Sequence, residues 1–149
     1  MQNCLFCKIA SKEISSEIVY EDDSAVAFLD INPCTPGHTV VIPKAHAGDI
    51  IDLKDNSLKS LFLAVKNVVV LLKNKLGREG HTMREDARVN AVGGFTIGIN
   101  HGTMAGQLID HLHVHVIPRY EGDGGGSIHS VAHYGTGETV KEMARRIMS

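Results

Sequence analysis

The sequence predicts a single α+β domain, and three observations carry that expectation. Short β-prone runs recur through the first half and again near residues 95–119. One long stretch, 55–76, has helical periodicity. A shorter helical pattern closes the chain at 138–148. A length of 149 residues is enough for one substantial core, so residues 1–149 are taken as one domain, with a C-terminal tail from about 124.

The elements follow in chain order. Residues 17–30 suggest a hairpin: Ile18-Val19-Tyr20, a turn through Glu21-Asp22-Asp23-Ser24, then Ala25 to Asp30. Asn32-Pro33-Cys34-Thr35-Pro36-Gly37-His38 is a loop rich in chain breakers. Thr39-Val40-Val41-Ile42-Pro43 reads as a buried strand flanked by His38 and His46. In the long helix Leu58, Leu61, Phe62, Val65, Val68, Val69 and Leu72 recur at three- and four-residue steps. Asp55, Asn56 or Ser57 offers a cap at its start and Gly77 a stop. Charges and glycines across 77–94 suggest an exposed excursion with strand character near 87–92. Phe95 to Asn100 then alternates as a strand, and the small-residue loop 101–107 follows. Such a loop brings backbone N–H groups close to an anion, although this one matches neither a Walker A nor a Rossmann fingerprint. The closing helix carries Val140, Met143, Ala144 and Ile147 on one side.

Composition narrows the function classes. Apolar residues make up 43% and charged residues 21% of the chain, as in globular proteins, and a net charge of −2 gives no basic field for nucleic acid. A local phosphate site remains open. No apolar run approaches a membrane span, and residues 1–4 show no export signal, so a cytoplasmic location is expected. Three cysteines, an odd number, argue against a disulfide framework.

The chemistry concentrates in His111-Leu112-His113-Val114-His115-Val116-Ile117-Pro118-Arg119. An extended chain sends alternate side chains to opposite faces, which puts three imidazoles in a row on one face and Leu112, Val114 and Val116 against a core. Pro118, lacking an N–H, marks the expected end of strand pairing. Such a row suits either a metal site or a catalytic row. Cys4-Leu5-Phe6-Cys7 lets two thiolates reach one zinc, but zinc needs four ligands, so histidines must complete the shell. A redox pair is the competing reading.

Taken together these segments resemble the histidine triad (HIT) superfamily, whose signature His-φ-His-φ-His-φ-φ (φ apolar) is matched by residues 111–117. The resemblance runs from Cys4 to about Asp123. It includes Phe28-Leu29-Asp30-Ile31-Asn32-Pro33, Gly37-His38-Thr39, Val41 to His46, and Ala105-Gly106-Gln107, and is nearest the Hint-like bacterial and archaeal Hit proteins.

The resemblance implies a HIT-like fold with an antiparallel sheet, one long helix and a C-terminal helix, usually a homodimer. It implies a nucleotide hydrolase acting at the α-phosphate of nucleoside phosphoramidates or dinucleoside polyphosphates. His113 would be the nucleophile, His115 an imidazolium at the phosphoryl oxygens or leaving group, and Gln107, Asn100 and Gly106 the phosphate holders. Asp30 would take the ribose, and Leu5, Phe6, Ile9, Phe28 and Ile31 a base, with purines favoured. Cys4, Cys7, His46 and His111 would hold a structural zinc ion. Rival readings are a metallohydrolase with an open zinc, a nucleotidyltransferase, and a nucleotide-binding module without turnover. Two departures stand out: Leu108 where many relatives carry a hydroxyl residue, and a longer stretch over 81–94.

Overall fold

The computed structural model describes residues 4–77, 91–132 and 137–149. In chain order it has α1 (Leu5–Ala10), β1 (Ile18–Glu21), β2 (Ala25–Leu29), β3 (Thr39–Pro43), α2 (Asp55–Leu76), β4 (Gly94–Gly98), β5 (Val114–Arg119) and α3 (Val140–Met148). Single 3-10 turns lie at Thr103–Ala105 and Ile128–Ser130. The strands form one sheet in the order β1-β2-β3-β5-β4, with every neighbouring pair antiparallel. This is the expected α+β class with an antiparallel sheet.

The expected hairpin is present, and its turn is closed by one side chain. An Asp22 carboxylate oxygen accepts the backbone N–H groups of Ser24 and Ala25, both at 2.8 Å. β2 and β3 are buried almost throughout because the sheet is covered on both faces at its centre. On one face Ala25, Ala27, Val41, Val114 and Val116 pack against Leu61, Ala64, Val65, Val68 and Leu72 of α2. On the other, Val26, Phe28, Val40 and Ile42 pack against Phe6 and Ile9 of α1.

The long helix has the expected span. Its N-cap is Lys54, without a side-chain cap, so none of Asp55, Asn56 or Ser57 serves as one; Asp55 instead places its charge in the first turn, where the helix dipole favours it. Phe62 belonged to the expected apolar set but is 46% exposed, because the buried stripe passes through Leu61 beside it. Leu61→Ala should therefore cost about 2–5 kcal/mol by urea unfolding, and Phe62→Ala under about 1 kcal/mol.

Two boundaries move. α3 begins at Val140 rather than 138, since Thr139 and Glu142 form a reciprocal capping box. No residue of this helix is fully buried. β5 continues through Pro118 to Arg119, whereas Pro118 was expected to end the pairing. β3 drops out after Val116, and Pro118 pairs with Phe95 of the edge strand β4 alone. Of the strand character expected near 87–92, residues 87–90 lie outside the described residues, as do 81–90 of the long stretch, and 91–92 carry no strand, which begins at Gly94. No described helix is long and apolar enough to cross a membrane.

Candidate active site and metal centre

Alternation along the histidine segment works as the sequence predicts. Leu112, Val114 and Val116 are buried in the core beneath α2, and the imidazoles take the opposite face. Regular strand begins only at Val114; the lead-in is pinned by the Leu112 N–H donating to the Ala47 carbonyl at 2.7 Å. His111 is fully buried and His113 nearly so. The Phe6 ring stands edge-on to both, at centroid distances of 5.9 and 5.3 Å, so α1 fixes the upper part of the row.

At the top of that row four donors converge. Cys4, Cys7, His46 and His111 each point a ligand atom into one small volume. Cys4 Sγ lies 3.4 Å from His111 Nδ1, Cys7 Sγ 3.3 Å from His46 Nδ1, and Cys7 Sγ 3.5 Å from His111 Nδ1. Ligands on a tetrahedral zinc with ordinary Zn–S and Zn–N bonds stand about 3.5 Å apart, so these residues could hold such an ion. His111 Nε2 donates to the Pro43 carbonyl at 2.9 Å, which leaves Nδ1 unprotonated toward the thiols. Burial and the adjacent Cys4 push the Cys7 thiol up, a cost that a cation between the sulfurs would reverse.

Below it the hydrogen bonds fix the protons of His113 and His115. His113 Nδ1 donates to the His111 carbonyl at 2.7 Å, so Nε2 carries the free lone pair. His115 is reached from β3, where Val40 pairs with it and His38 lies two residues earlier. The Cys34 backbone N–H donates to His38 Nδ1 at 3.2 Å. His38 Nε2 must then hold the proton and donate to His115 Nδ1, 2.9 Å away, which puts the proton of His115 on Nε2. Asp30 stands 3.7 Å from His38 and 3.9 Å from His115. These three residues also form a trio of metal-donor types. Its bridging position is already filled by a proton, and Cys34 claims the other nitrogen of His38.

His115, accepting at Nδ1, is therefore neutral in the free protein; the imidazolium that the resemblance implies concerns the phosphate-bound state. Burial first, then His113 and His38, lowers its pKa to about 4 against the opposing pull of Asp30. Burial likewise lowers His38 despite Asp30. For a histidine lowered from 6.5, the unfolded chain binds the extra proton, so this stability is complete above about pH 6.5 and is lost as pH falls toward 4. His115→Asn should remove on the order of 2 kcal/mol of the stability difference between pH 7.5 and 4.5, read from urea midpoints.

The loop after β4 spends its donors on itself: the N–H groups of Ala105 and Gln107 go to the Gly102 carbonyl and that of Gly106 to the Thr103 carbonyl, and the Gln107 side chain is used as well. That side chain accepts from the Gly102 N–H and donates to the carbonyls of Gly48 and Ile109, at 2.8, 2.7 and 3.1 Å. Both amide N–H groups are used, so Gln107 braces the loop and has no donor for a phosphate, contrary to its expected role. Gly106 closes the 103–105 turn at φ +90°, and Asn100 Nδ2 lies 3.7 Å from where its Cβ would be. Leu108 is 91% exposed and brings no hydroxyl.

Of the expected base slot, Phe6, Ile9 and Phe28 are buried core, whereas Leu5 and Ile31 are exposed, Ile31 at 88%. The chain's sequence did not single out His38 for a role. Its signal, a histidine opening the strand next to the triad, becomes readable only once β3 and β5 are known to pair. Nor did it flag a groove of about 1000 Å³ that extends from Cys34, His38 and His115 toward Arg119.

The comparisons agree with this geometry. The HIT domain family model matches residues 11–122, and the chain belongs to the HIT family. An uncharacterized HIT-like protein of Methanocaldococcus jannaschii is 45% identical over 121 residues, 81% of this chain and 82% of that one. The adenylylsulfatase HINT3 of Arabidopsis thaliana is 36% identical, over 83% of this chain and 56% of its own length. Among solved structures, a HIT family protein from Bacillus anthracis superposes with a TM-score of 0.77 at 35% identity, covering 98% of this chain and 92% of that one. A histidine triad nucleotide-binding protein from Candida albicans gives 0.74 at 27%, covering 98% and 95%. A zinc-bound histidine triad family protein from Mycobacterium smegmatis gives 0.61 at 32%, covering 83% and 79%.

Proposed function

We infer that the protein hydrolyses nucleotides at the α-phosphate, taking nucleoside phosphoramidates or dinucleoside polyphosphates, through a nucleotidyl-histidine on His113. The observation that carries this is the tautomer of His113: a backbone carbonyl holds Nδ1–H and leaves Nε2 bare beside His115. The Nε2 lone pair attacks the α-phosphorus as the bond to the leaving group breaks. A bound anionic phosphate raises the proton affinity of His115, so the complex takes up a proton on Nδ1, which leaves its bond from His38 and turns to Asp30, 3.9 Å away. The Nε2 proton goes to the leaving atom; Nε2 of neutral His115 then accepts a proton from the water that releases the nucleotide and restores His113. Asn100 holds the phosphate, the Gly106 N–H joins it by leaving the Thr103 carbonyl, and Asp30 takes the ribose of a purine nucleoside. The Arabidopsis and Candida relatives, named for adenylylsulfatase activity and nucleotide binding, support a nucleotide substrate.

The same reading gives Cys4, Cys7, His46 and His111 a zinc ion with a purely structural role, since four protein ligands leave no position for substrate. The zinc-bound mycobacterial relative supports that choice of metal. A homodimer, as the family resemblance implies, belongs to this proposal too. Rapid quench into alkaline denaturant, where a histidine P–N bond survives, should trap one adenylyl group per chain during turnover of adenosine phosphoramidate, mapped by mass spectrometry at neutral to alkaline pH to His113. Full turnover with no trapped adduct, or an adduct elsewhere, would reject the covalent route.

A further inference from the structure

Apart from the histidine row, the nucleophiles gathered in one place are the two sulfurs of Cys4-Leu5-Phe6-Cys7. Both cysteines are free and half-buried, whereas His111 beside them is fully buried, so the cluster meets solvent through its thiols. The ligand atoms of the cluster all lie within 4.8 Å of one another. A disulfide needs Cα atoms less than about 7 Å apart, and residues three apart on a helical turn meet that condition. Cys4 is the N-cap of α1 at φ −78° and ψ 120°, extended rather than helical, so its sulfur can swing to Cys7 with the helix intact. Its side chain makes no capping hydrogen bond for that movement to break. Cys34, the third thiol, is exposed and stands outside the cluster.

A change at these sulfurs reaches the histidine row by two short routes. Phe6, between the two cysteines, stands edge-on to His111 and His113 and packs on Phe28 at a centroid distance of 5.5 Å. His111 contacts both thiols through Nδ1, while its carbonyl holds the Nδ1 proton of His113 at 2.7 Å. The ring that supports the row and the peptide that orients His113 are therefore both next to the thiol pair.

Resting on the zinc reading, we propose that Cys4 and Cys7 are a thiol switch: a hydroperoxide oxidises the pair to a disulfide, the ion is given up, and the histidine row loses its support. One thiolate sulfur bonds to the terminal peroxide oxygen as the O–O bond breaks, and the other oxygen leaves as hydroxide or alkoxide. The second thiolate then attacks that sulfur; the S–S bond forms, the S–O bond breaks, and hydroxide departs. Both leaving oxygens take protons from solvent. The two thiolates have lost two electrons, and the hydroperoxide has gained them. A disulfide sulfur carries no thiolate charge for a cation, and the donors that remain, His46 and His111, fall short of the four that structural zinc takes.

The test uses the full chain reconstituted with zinc, wild type beside Cys34→Ser, and hydrogen peroxide as the probe. Zinc passing to a chromogenic chelator should be released about tenfold faster or more with peroxide than without, and equally in both proteins. Trypsin cuts after Lys8 and leaves both cysteines in one peptide, Met1 to Lys8, which should be lighter by two hydrogens and resist alkylation. Turnover of adenosine phosphoramidate should fall about fivefold or more in the oxidised protein and return with dithiothreitol and zinc. Zinc kept under peroxide, zinc lost with the peptide still open to alkylation, a link to Cys34, or full turnover by the disulfide form would each overturn the switch. A chain that takes up no zinc at reconstitution would sink the zinc reading and the switch with it. No turnover before oxidation would sink the hydrolase reading alone, and zinc release with peptide mass would then decide the switch.

Discussion

His113→Asn lowers kcat for adenosine phosphoramidate by on the order of 10⁴-fold, while the affinity for adenosine monophosphate changes less than about threefold. Asparagine is the informative substitution because its amide N–H can still donate to the His111 carbonyl that now receives His113 Nδ1. The local geometry is preserved and only the attacking nitrogen is removed. Stopped-flow or steady-state release of AMP gives the rate, and calorimetry gives the affinity. A loss below tenfold would mean that water attacks phosphorus directly and that His113 merely lines the site.

Stripping the zinc proposed at Cys4, Cys7, His46 and His111 should lower the melting temperature by about 10 °C or more, corresponding to several kcal/mol of binding energy lost from the folded state. The expected size follows from what the ligands tie together. Cys4 and Cys7 begin α1, His46 follows β3, and His111 precedes β5, so one ion held there would cross-link three segments far apart in sequence. Differential scanning calorimetry with and without a strong chelator measures the shift, and Cys7→Ser should reproduce it without chelator. Abolished turnover with an unchanged melting curve would identify the ion as catalytic and favour the metallohydrolase reading instead.

How much of this was legible beforehand depended on whether the signal was local. The α2 span and the β1–β2 hairpin come from periodicity and turn chemistry within short windows, and they stand as expected. The histidine row was legible for the same reason, since strand alternation is a property of neighbouring residues. What escaped needed partners distant in sequence. His38 joins the site only through the pairing of Val40 with His115. Gln107 looks like a phosphate ligand until the carbonyl of Gly48, 59 residues earlier, is seen to take its amide. The charge state of His115 depends on burial and on two other imidazoles, none of which a spacing rule reports. Phe62 failed more simply, because a helical stripe read from sequence is about one residue wider than the face the sheet covers.

His111 binds in three directions at once. Its Nδ1 faces the two thiols, its Nε2 donates to Pro43, and its carbonyl receives the proton of His113. The peptide that orients the proposed nucleophile is thus the backbone of a residue that could hold the metal. A preparation with half its sites filled would then hold two enzyme populations differing in turnover number, not one population that is merely easier to melt. Active-site titration by the trapped nucleotidyl adduct would count zinc rather than protein, and specific activities measured on different batches would scatter with the growth medium's metal content.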